Sequence, residues 1–526
     1  MERKIEQAIK SAGIAAPFAV ERPAQMQHGD YATNAALVAK VDAHALAEKL
    51  NIEGVERIEV AGKFINFFLS REAILKEIEN PVIDQAYAGK KILVEYTDPN
   101  PFKEFHIGHL MSNAIGESIA RLLERSGAEV KRANYQGDVG PHVAKAIWGK
   151  IQKPELAWGQ AYAYGAEEYE SRKNEIDELN KKIYERGNDK INALYDAGRK
   201  ESLEHFEKIY AALGTKFDFY FFESKTGKLG LQIVKKHPEI FEKSDGAVVF
   251  RGEHTRVFVN SLGLPTYEAK ELGLVETKKE KGNFDLSLTV TANETRDFFN
   301  VVRQAAEKIF PDMEGKMVVR FHGLMKLTSG KMSSRTGNVV TGESLLEELK
   351  ERARGRMDVA VGAVKYAVLR QGSGRDIIFD PEKSLSLLGD SGTYLQYARV
   401  RAVSLLRKAK KAGVIAEGMR PIGAGKTWPS GPERRLSSAV IPEAIQPLER
   451  LLIHYPDALA RAAREMEPHY LTTYLTELAG EFNSWYARER VIGGENPEYG
   501  VFLTTAAERA LREGLETLGI PVPEEM

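Results

Sequence analysis

Two histidines stand at a spacing that could support chemistry: residues 104–110 read EFHIGHL. Histidine pairs of this kind occur as zinc ligands, as general bases and as donors to phosphate oxygens. A zinc site would need one or two further ligands, and the sequence has neither an HExxH pattern nor a third histidine nearby, so we expect no protein-bound zinc. His106 and His109 are therefore candidates for binding phosphate.

The surrounding sequence indicates what positions this pair. The apolar run 92–94 (ILV) is typical of a buried parallel strand, and an amphipathic helix that ends near Gly127 follows the histidines. A second predicted strand, at 130–135, completes one half of a Rossmann-type sheet. Nucleotides bind such sheets where a strand leads into a helix, and Gly108 would let a flat base approach the backbone there.

A second segment with chemical potential is GKMSSRTGN, residues 330–338. Glycines at its ends, two cations and several hydroxyls favour a loop that binds phosphate. The same composition is also typical of an ordinary basic surface loop. This segment by itself does not decide between the two.

Composition limits the classes of protein that are possible. With 526 residues the chain is long enough for two to four domains, and its 43% hydrophobic content is that of a globular protein. The absence of cysteine excludes disulfides, thiolate nucleophiles and cysteine-ligated metal sites. No apolar run reaches the roughly 18 residues of a membrane span, and the N-terminus does not resemble a secretory signal. We expect a cytoplasmic protein without a membrane contact.

Periodicity predicts a multidomain α/β protein. We expect a small N-terminal α+β domain at 1–80 and an all-α C-terminal helical bundle at 391–526. Between them we expect a Rossmann-like parallel-sheet catalytic domain at 85–345, followed by a helical connector at 346–390. A charged stretch at about 150–245 reads as a helical insertion. After it the sheet is expected to resume near 248–258 and again at 284–290.

Taken together, the two segments resemble the signatures of class I aminoacyl-tRNA synthetases, HIGH and KMSKS. Residues 106–109 match the first fully. Residues 331–335 read KMSSR, with Ser334 in place of the second lysine and Arg335 one residue later.

More narrowly, the chain resembles the arginyl-tRNA synthetases along nearly its whole length. The segments that carry this resemblance are HGDYATN (28–34), GKFINFFL (62–69), VEYTDPNP (94–101), KMSSRTGNVVTGESLLEEL (331–349), YLQYARVR (394–401) and the terminal LGIPVPEEM (518–526).

The resemblance implies ATP-dependent ligation of L-arginine to tRNA(Arg) through an arginyl-adenylate, with transfer to the terminal ribose. It implies ATP with its Mg²⁺, a monomeric enzyme and, commonly in this family, a requirement for bound tRNA in the first step. His106, His109 and Lys331 would be catalytic. The implied ATP contacts are these three residues with Gly108, Met332, Ser333, Ser334 and Arg335.

The resemblance also implies an arginine pocket, and the residue types suit it. It places Glu95, Asn100, Tyr267 and Glu271 around the substrate, with Glu271 where the family usually has aspartate. A guanidinium requires planar carboxylates and neutral acceptors. Tyr267 and Glu271 stand at i and i+4, so on a helix they would face one pocket. Asp138 would bind the substrate ammonium.

Contacts with tRNA are implied in both terminal domains. In the N-terminal domain they would involve Tyr31 and Asn34. In the helical domain they would involve Tyr397, Arg401 and Trp485, where aromatic rings suit stacking of unpaired bases and a cation suits phosphate.

Three other functions are considered from the sequence. They are a different class I synthetase, a nucleotidyltransferase that shares HxGH and joins a carboxylate to an amine, and a catalytically idle tRNA-binding paralogue. The long helical C-terminal region argues against the second, and the intact HIGH motif with Lys331 argues against the third.

Overall fold

The N-terminal unit is built on a four-stranded antiparallel sheet. The computed structural model describes residues 1–328, 340–414 and 441–526. The strands follow the order β1-β2-β4-β3, and the β3–β4 hairpin turns at Gly62. Its elements are α1 (Glu2–Ser11), β1 (Val20–Glu21), β2 (Tyr31–Thr33), α2 (Ala35–Ala39), α3 (Ala43–Ala47), β3 (Val55–Ala61), β4 (Phe64–Leu69) and α4 (Arg71–Glu79), with a 3-10 turn at Met26–His28.

The central unit alternates strands and helices. Its first half contains β5 (Lys91–Glu95), α5 (Ile107–Arg125), β6 (Glu129–Gln136), α6 (Pro141–Gln152), α7 (Trp158–Glu167), α8 (Lys173–Glu185), α9 (Asp189–Leu213), β7 (Phe219–Phe222) and α10 (Glu223–Lys236). Its second half contains β8 (Glu242–Ser244), β9 (Ala247–Arg251), β10 (Thr255–Val259), α11 (Tyr267–Lys281), β11 (Leu286–Ala292), α12 (Arg296–Ile309), β12 (Met317–His322) and β13 (Met325–Leu327), with 3-10 turns at Asn293–Thr295 and Pro311–Met313.

The main sheet is parallel throughout, with the strand order β12-β11-β5-β6-β7. The chain runs outwards from β5 to β7 on one side and from β11 to β12 on the other. The order therefore reverses between β5 and β11, and ligands bind doubly wound sheets at the carboxyl ends of strands beside such a reversal. The predicted Rossmann-like fold is confirmed.

Two details of the predicted central domain are wrong. The segment 248–258 does not rejoin the main sheet: β9 and β10 form a separate antiparallel sheet with β8. The insertion also ends earlier than 245, because β7 is the edge strand of the main sheet. The four aromatic residues of β7 form too short a run to be recognised as a strand after the long charged helices.

The remaining elements are mostly helical. A connector contains α13 (Gly342–Arg352), α14 (Met357–Leu369), β14 (Ile377–Phe379) and α15 (Pro381–Ser384), and β14 pairs with β13. The C-terminal unit contains α16 (Gly392–Lys411), α17 (Pro447–Leu452), α18 (Tyr455–Glu465), α19 (His469–Arg488) and α20 (Pro497–Thr517). Buried aliphatic side chains from both terminal units and the central unit belong to one continuous core. Within the described ranges, no helix has the length and apolar character needed to cross a membrane.

Candidate active site

The histidine motif lies where β5 leads into α5. His106 is the N-cap of α5, and its Nδ1 accepts from the backbone N–H of Gly108 at 3.1 Å. Nδ1 of His109 accepts from the backbone N–H of His106 at 3.2 Å, and the two rings stack with centroids 3.6 Å apart. Because both Nδ1 atoms are acceptors, each neutral ring carries its hydrogen on Nε2. A Cβ at Gly108 would lie 3.0 Å from the His106 ring, so glycine lets the cap close.

The electrostatic surroundings keep both imidazoles neutral. His109 is buried, and burial together with the neighbouring His106 holds its pKa well below the usual value. One edge of the His106 ring is exposed. Desolvation of the rest of the ring, followed by the charges of Lys103 and His322, nevertheless lowers its pKa to about 4. Two neutral N–H donors at a helix N-terminus can bind phosphate oxygens at pH 7.

Two further groups of this cleft were missed by sequence reasoning. Lys103, three residues before the first histidine, has an ammonium that acts on both imidazoles, and burial lowers its own pKa. His322 ends β12 at the same edge of the sheet, where its Nδ1 donates to the Gly323 carbonyl at 2.7 Å. The lysine could have been noticed from its closeness to HIGH, whereas only the strand order brings His322 here.

A buried carboxylate occupies the carboxyl end of β5. Glu95 is 2% exposed, and its Oε1 accepts from Thr289 Oγ1 of β11 at 3.2 Å. Its Oε2 lies 3.0 Å from the Nζ of Lys278, which reaches it from α11. A charge of this kind requires a partner when it is buried, and Lys278 is that partner.

Two more acids surround Glu95. Asp98 accepts from the backbone N–H of Tyr135 at 2.7 Å, and its pKa is held well above the usual value by burial and by Glu95. Burial and Glu95 likewise raise the pKa of Glu271 to about 8. Thr97 and Asp98 have φ angles of +81° and +45°, a strained conformation that costs about 1–3 kcal/mol per residue. The fold therefore holds Asp98 and Glu271 close to Glu95 at the carboxyl end of β5.

The predicted arginine pocket contains one carboxylate that the sequence did not reveal. Glu223, the first residue of α10, is buried and paired with the Lys270 ammonium of α11. A Cβ at Gly137 would collide with the Asn100 side chain and lie 3.2 Å from Glu223 Oε1, so these two side chains flank Gly137. Tyr267 begins α11 and remains 59% exposed, with the Lys270 ammonium 4.9 Å from its ring.

Asp138 does not fit the predicted contact with the substrate ammonium. It is fully buried and accepts four hydrogen bonds from the protein. The donors are Tyr195 Oη (3.1 Å), Arg199 Nε (2.9 Å) and both the backbone N–H and the hydroxyl of Ser224 (2.8 Å each). These bonds tie α9 and α10 to the turn after β6. With three of these bonds on Oδ2 and one on Oδ1, the buried carboxylate positions those elements.

The KMSSR segment, with the predicted ATP contacts Lys331 to Arg335, lies outside the described residues. The chain on both sides of it is held in place. Thr328 N–H donates to the Phe379 carbonyl at 3.0 Å, and Gly342 N–H donates to the Phe105 carbonyl at 2.6 Å, directly before the histidine motif. Thr341 also pairs with His106 as an isolated β-bridge.

Two predicted RNA contacts lie in the N-terminal unit, and one of them does not fit. Tyr31 is 1% exposed, its hydroxyl donates to Asp457 at 2.8 Å and its ring packs against His454. A buried ring cannot stack on a base, and Tyr31 instead joins this unit to α18. Asn34 is partly exposed, and its Oδ1 accepts from the Ala19 N–H at 2.9 Å.

In the helical unit, Trp485 likewise does not fit an RNA contact, because its ring is buried in the core. Tyr397 and Arg401 are partly exposed. The Arg401 guanidinium lies 4.9 Å from the ring of Tyr397 and 5.4 Å from that of Tyr486, and it donates to Asn483 at 2.6 Å. The aromatic–cation cluster that the sequence suggested is thus formed by these residues and not by the tryptophan.

Comparison with known proteins gives three family matches that follow one another along the chain. The family described as "tRNA synthetases class I (R), catalytic domain" matches residues 72–380, more than half of the chain. The chain belongs to the arginyl-tRNA synthetases. Residues 1–69 match the "Arginyl tRNA synthetase N terminal domain", and 395–526 match the "DALR anticodon binding domain".

Individual relatives agree with this membership. The chain is 30% identical to the arginine–tRNA ligase of Clostridium perfringens, with 96% of each chain covered. The arginyl-tRNA synthetase structure from Thermus thermophilus matches with a TM-score of 0.80 and 26% identity, covering 100% of this chain and 99% of that one. The structure from Plasmodium falciparum matches with a TM-score of 0.81 at 19% identity, which supports the fold alone.

Family membership settles the reaction class that the sequence predicted. The enzyme attaches arginine to tRNA, and its catalytic domain is of class I. Members of this class use ATP and Mg²⁺ in general.

Proposed function

We propose that the enzyme ligates L-arginine to tRNA(Arg) in two steps within the cleft at the carboxyl ends of β5 and β11. In the first step an arginine carboxylate oxygen attacks the α-phosphorus of ATP, and the bond to pyrophosphate breaks. In the second step the 2′-hydroxyl of the terminal tRNA ribose attacks the arginyl carbonyl, and AMP leaves with the bonding electron pair while the hydroxyl proton passes to its phosphate. Both steps are accelerated by positioning and by charge stabilisation, without a covalent enzyme intermediate.

The phosphate side of the cleft rests on the stacked imidazoles. His106 and His109 donate from Nε2 to phosphate oxygens, and Lys103 adds a positive charge beside them. Lys331 is proposed as a further phosphate-binding cation because of the family resemblance. For the same reason, the proposed ATP contacts include Met332, Ser333, Ser334 and Arg335. The Mg²⁺ enters with ATP and offsets charge on the leaving pyrophosphate. Because Lys103 already supplies a cation, Ser334 in place of the second signature lysine is compatible with activity.

The arginine side rests on the group of buried carboxylates. Arginine carries two cationic groups, the α-ammonium and the guanidinium, and Glu95, Glu223 and Glu271 are the acceptors proposed for them. Asn100 supplies a neutral acceptor, and Tyr267 lines the opening. One observation carries the proposal: the neutral phosphate donors and the acidic pocket lie on the same edge of the sheet, beside the strand-order reversal.

Arginine-dependent ATP–pyrophosphate exchange, measured with and without tRNA(Arg), tests this function. We expect exchange with arginine and none with lysine or citrulline, because lysine lacks the planar guanidinium and citrulline lacks its charge. We propose that this exchange requires bound tRNA, a requirement that is common in the family. Exchange supported equally by citrulline would contradict the acidic pocket.

The proposal takes tRNA(Arg) as the macromolecular partner of a monomeric enzyme. Tyr397 and Arg401 are the proposed RNA contacts of the helical unit, and Asn34 is one in the N-terminal unit. Replacing Arg401 with Met should raise the KM for tRNA and leave the KM for ATP unchanged. Analytical ultracentrifugation at micromolar protein concentration tests whether the enzyme is a monomer.

A further inference from the structure

Lys278 is a buried cation that the proposed reaction does not use. Its side chain is 7% exposed, and its ammonium lies 3.0 Å from Glu95 Oε2. On α11 it shares a face with Tyr267 and Glu271, at i+11 and i+7 from them. A buried lysine is rare unless it is paired with an acid, and Glu95 is the acid that pairs with this one.

The surroundings of Glu95 show why it needs this partner. Asp98 from the loop after β5 and Glu271 from α11 are acids that act on it, and the phenol of Tyr135 on β6 faces the same group. Thr289 on β11 donates to the other oxygen, Oε1. Without an ammonium, the buried carboxylate would lack a counter-charge and would turn away from the neighbouring acids.

We propose that Lys278 is a positioning residue for arginine binding: it supplies the counter-charge of Glu95 and holds the carboxylate in one orientation, so that it meets the substrate cation without reorganisation. This inference rests on the proposed role of Glu95 as an arginine acceptor. The ammonium lies beside Oε2 as its counter-charge without a hydrogen bond to it, while Thr289 donates to Oε1. The carboxylate still has free lone pairs, since each oxygen can accept two hydrogen bonds. A preorganised acceptor binds its ligand more tightly because less freedom is lost on binding.

The test compares Lys278→Met and Lys278→Arg with the wild type, using the full-length enzyme with tRNA. The methionine variant should raise the arginine KM by about 10- to 100-fold, since a buried carboxylate loses its counter-charge. The KM for ATP and the kcat at saturating arginine should change little, and the acid limb of kcat/KM for arginine should move to higher pH. Lys278→Arg should recover most of the affinity.

Lys281→Met, at the exposed end of the same helix, is the matched control and should leave all these constants unchanged. An arginine KM that stays constant or falls in a folded Lys278→Met variant would overturn the proposal. A fall would show that the ammonium competes with the substrate. Parallel changes in the KM for ATP would overturn it as well, because they indicate general damage to the cleft.

Two further variants test the proposal if Lys278→Met does not fold. Glu95→Gln removes the carboxylate alone and the double variant Glu95→Gln/Lys278→Gln removes both charges, so neither leaves an unpaired buried carboxylate at this position. If Lys278 acts only through Glu95, both should have the same arginine KM. A further rise in the double variant would refute the positioning role. An arginine KM unchanged by Glu95→Gln would instead refute the proposed function of Glu95 itself.

Discussion

At the scale of single residues, the His106–His109 pair is defined by its backbone contacts. Both Nδ1 atoms accept from main-chain N–H groups, so the tautomer is fixed by α5 before any ligand arrives. Because the pKa values of both imidazoles are lowered, neither ring gains a proton near pH 7. The pair therefore behaves as a fixed donor set and not as an acid–base couple.

His109→Ala should lower arginine-dependent ATP–pyrophosphate exchange by about 10²- to 10³-fold, since it removes one donor to the developing phosphate charge. His237→Ala, at the end of α10 and paired with Glu239, is the matched control and should retain full exchange. Circular dichroism checks that both variants are folded. A folded His109→Ala enzyme with full exchange would remove this residue from the phosphate site.

Glu271 predicts a pH dependence for arginine binding. In the free enzyme its pKa is about 8, so below that pH the group holds a proton. A guanidinium beside the carboxylate lowers the pKa, and binding then releases the proton. Arginine affinity should rise with pH, by at most about tenfold per unit, and level off above pH 8.

Calorimetry in two buffers of different ionisation enthalpy at pH 7 measures this proton release. The apparent binding enthalpy of the wild type should differ between the buffers, and the difference should shrink in Glu271→Gln. Glu280→Gln, exposed on the same helix, should behave as the wild type. Equal enthalpies for the wild type in both buffers would show that no proton is exchanged.

At the scale of elements, the pocket depends on how closely α10 and α11 approach. A Cβ at Gly230 would overlap the carbonyl of Ala269, and a Cβ at Gly273 would overlap that of Thr226. The two helices therefore pack backbone against backbone through these glycines. This contact brings Glu223 on α10 to the Lys270 ammonium on α11.

Gly230→Ala should force the two helices apart. We expect a loss of about 2 kcal/mol in stability from overpacking, and a higher arginine KM than in the wild type. Thermal unfolding and aminoacylation kinetics measure the two effects. Gly187→Ala, where a Cβ meets nothing within 4 Å, controls for the substitution itself. An unchanged melting temperature for Gly230→Ala would mean that the crossing tolerates the methyl group.

At the scale of the whole molecule, the N-terminal unit is joined to the helical unit by buried polar pairs. Glu449 on α17 is fully buried, and Arg71 at the start of α4 pairs with it at 2.6 Å. Arg450 adds a pair with Asp30 at 3.0 Å, and Tyr31 adds its bond to Asp457. These contacts hold the two proposed tRNA-contacting units in a fixed relation.

Arg71→Met should weaken this joint, because it leaves the Glu449 carboxylate buried without a counter-charge. The arginine is partly exposed, so we expect a loss of about 2 kcal/mol, below the range for a fully buried pair. Urea unfolding, and limited proteolysis of the 80–90 segment between α4 and β5, should both show the change. Arg251→Met, which breaks an exposed pair with Glu242, should show neither. Resistance to proteolysis equal to that of the wild type would argue against the joint.

The sequence by itself determined the elements that are encoded locally. The apolar run before EFHIGHL and the amphipathic pattern after it fix β5 and α5, and with them the place of His106 and His109. Motif resemblance identified the family and placed Glu95 among the expected arginine contacts. These signals depend on neighbours within a few residues, where periodicity and spacing are informative.

Only the tertiary structure decided which distant groups meet. It paired Glu95 with Lys278 and Glu223 with Lys270, it enclosed Asp138 among protein donors, and it buried Tyr31 at a joint between units. It also assigned β9 and β10 to their own sheet. Local patterns show which face of an element is buried but not what covers it. That depends on strand order and helix crossings, which arise when the whole chain packs.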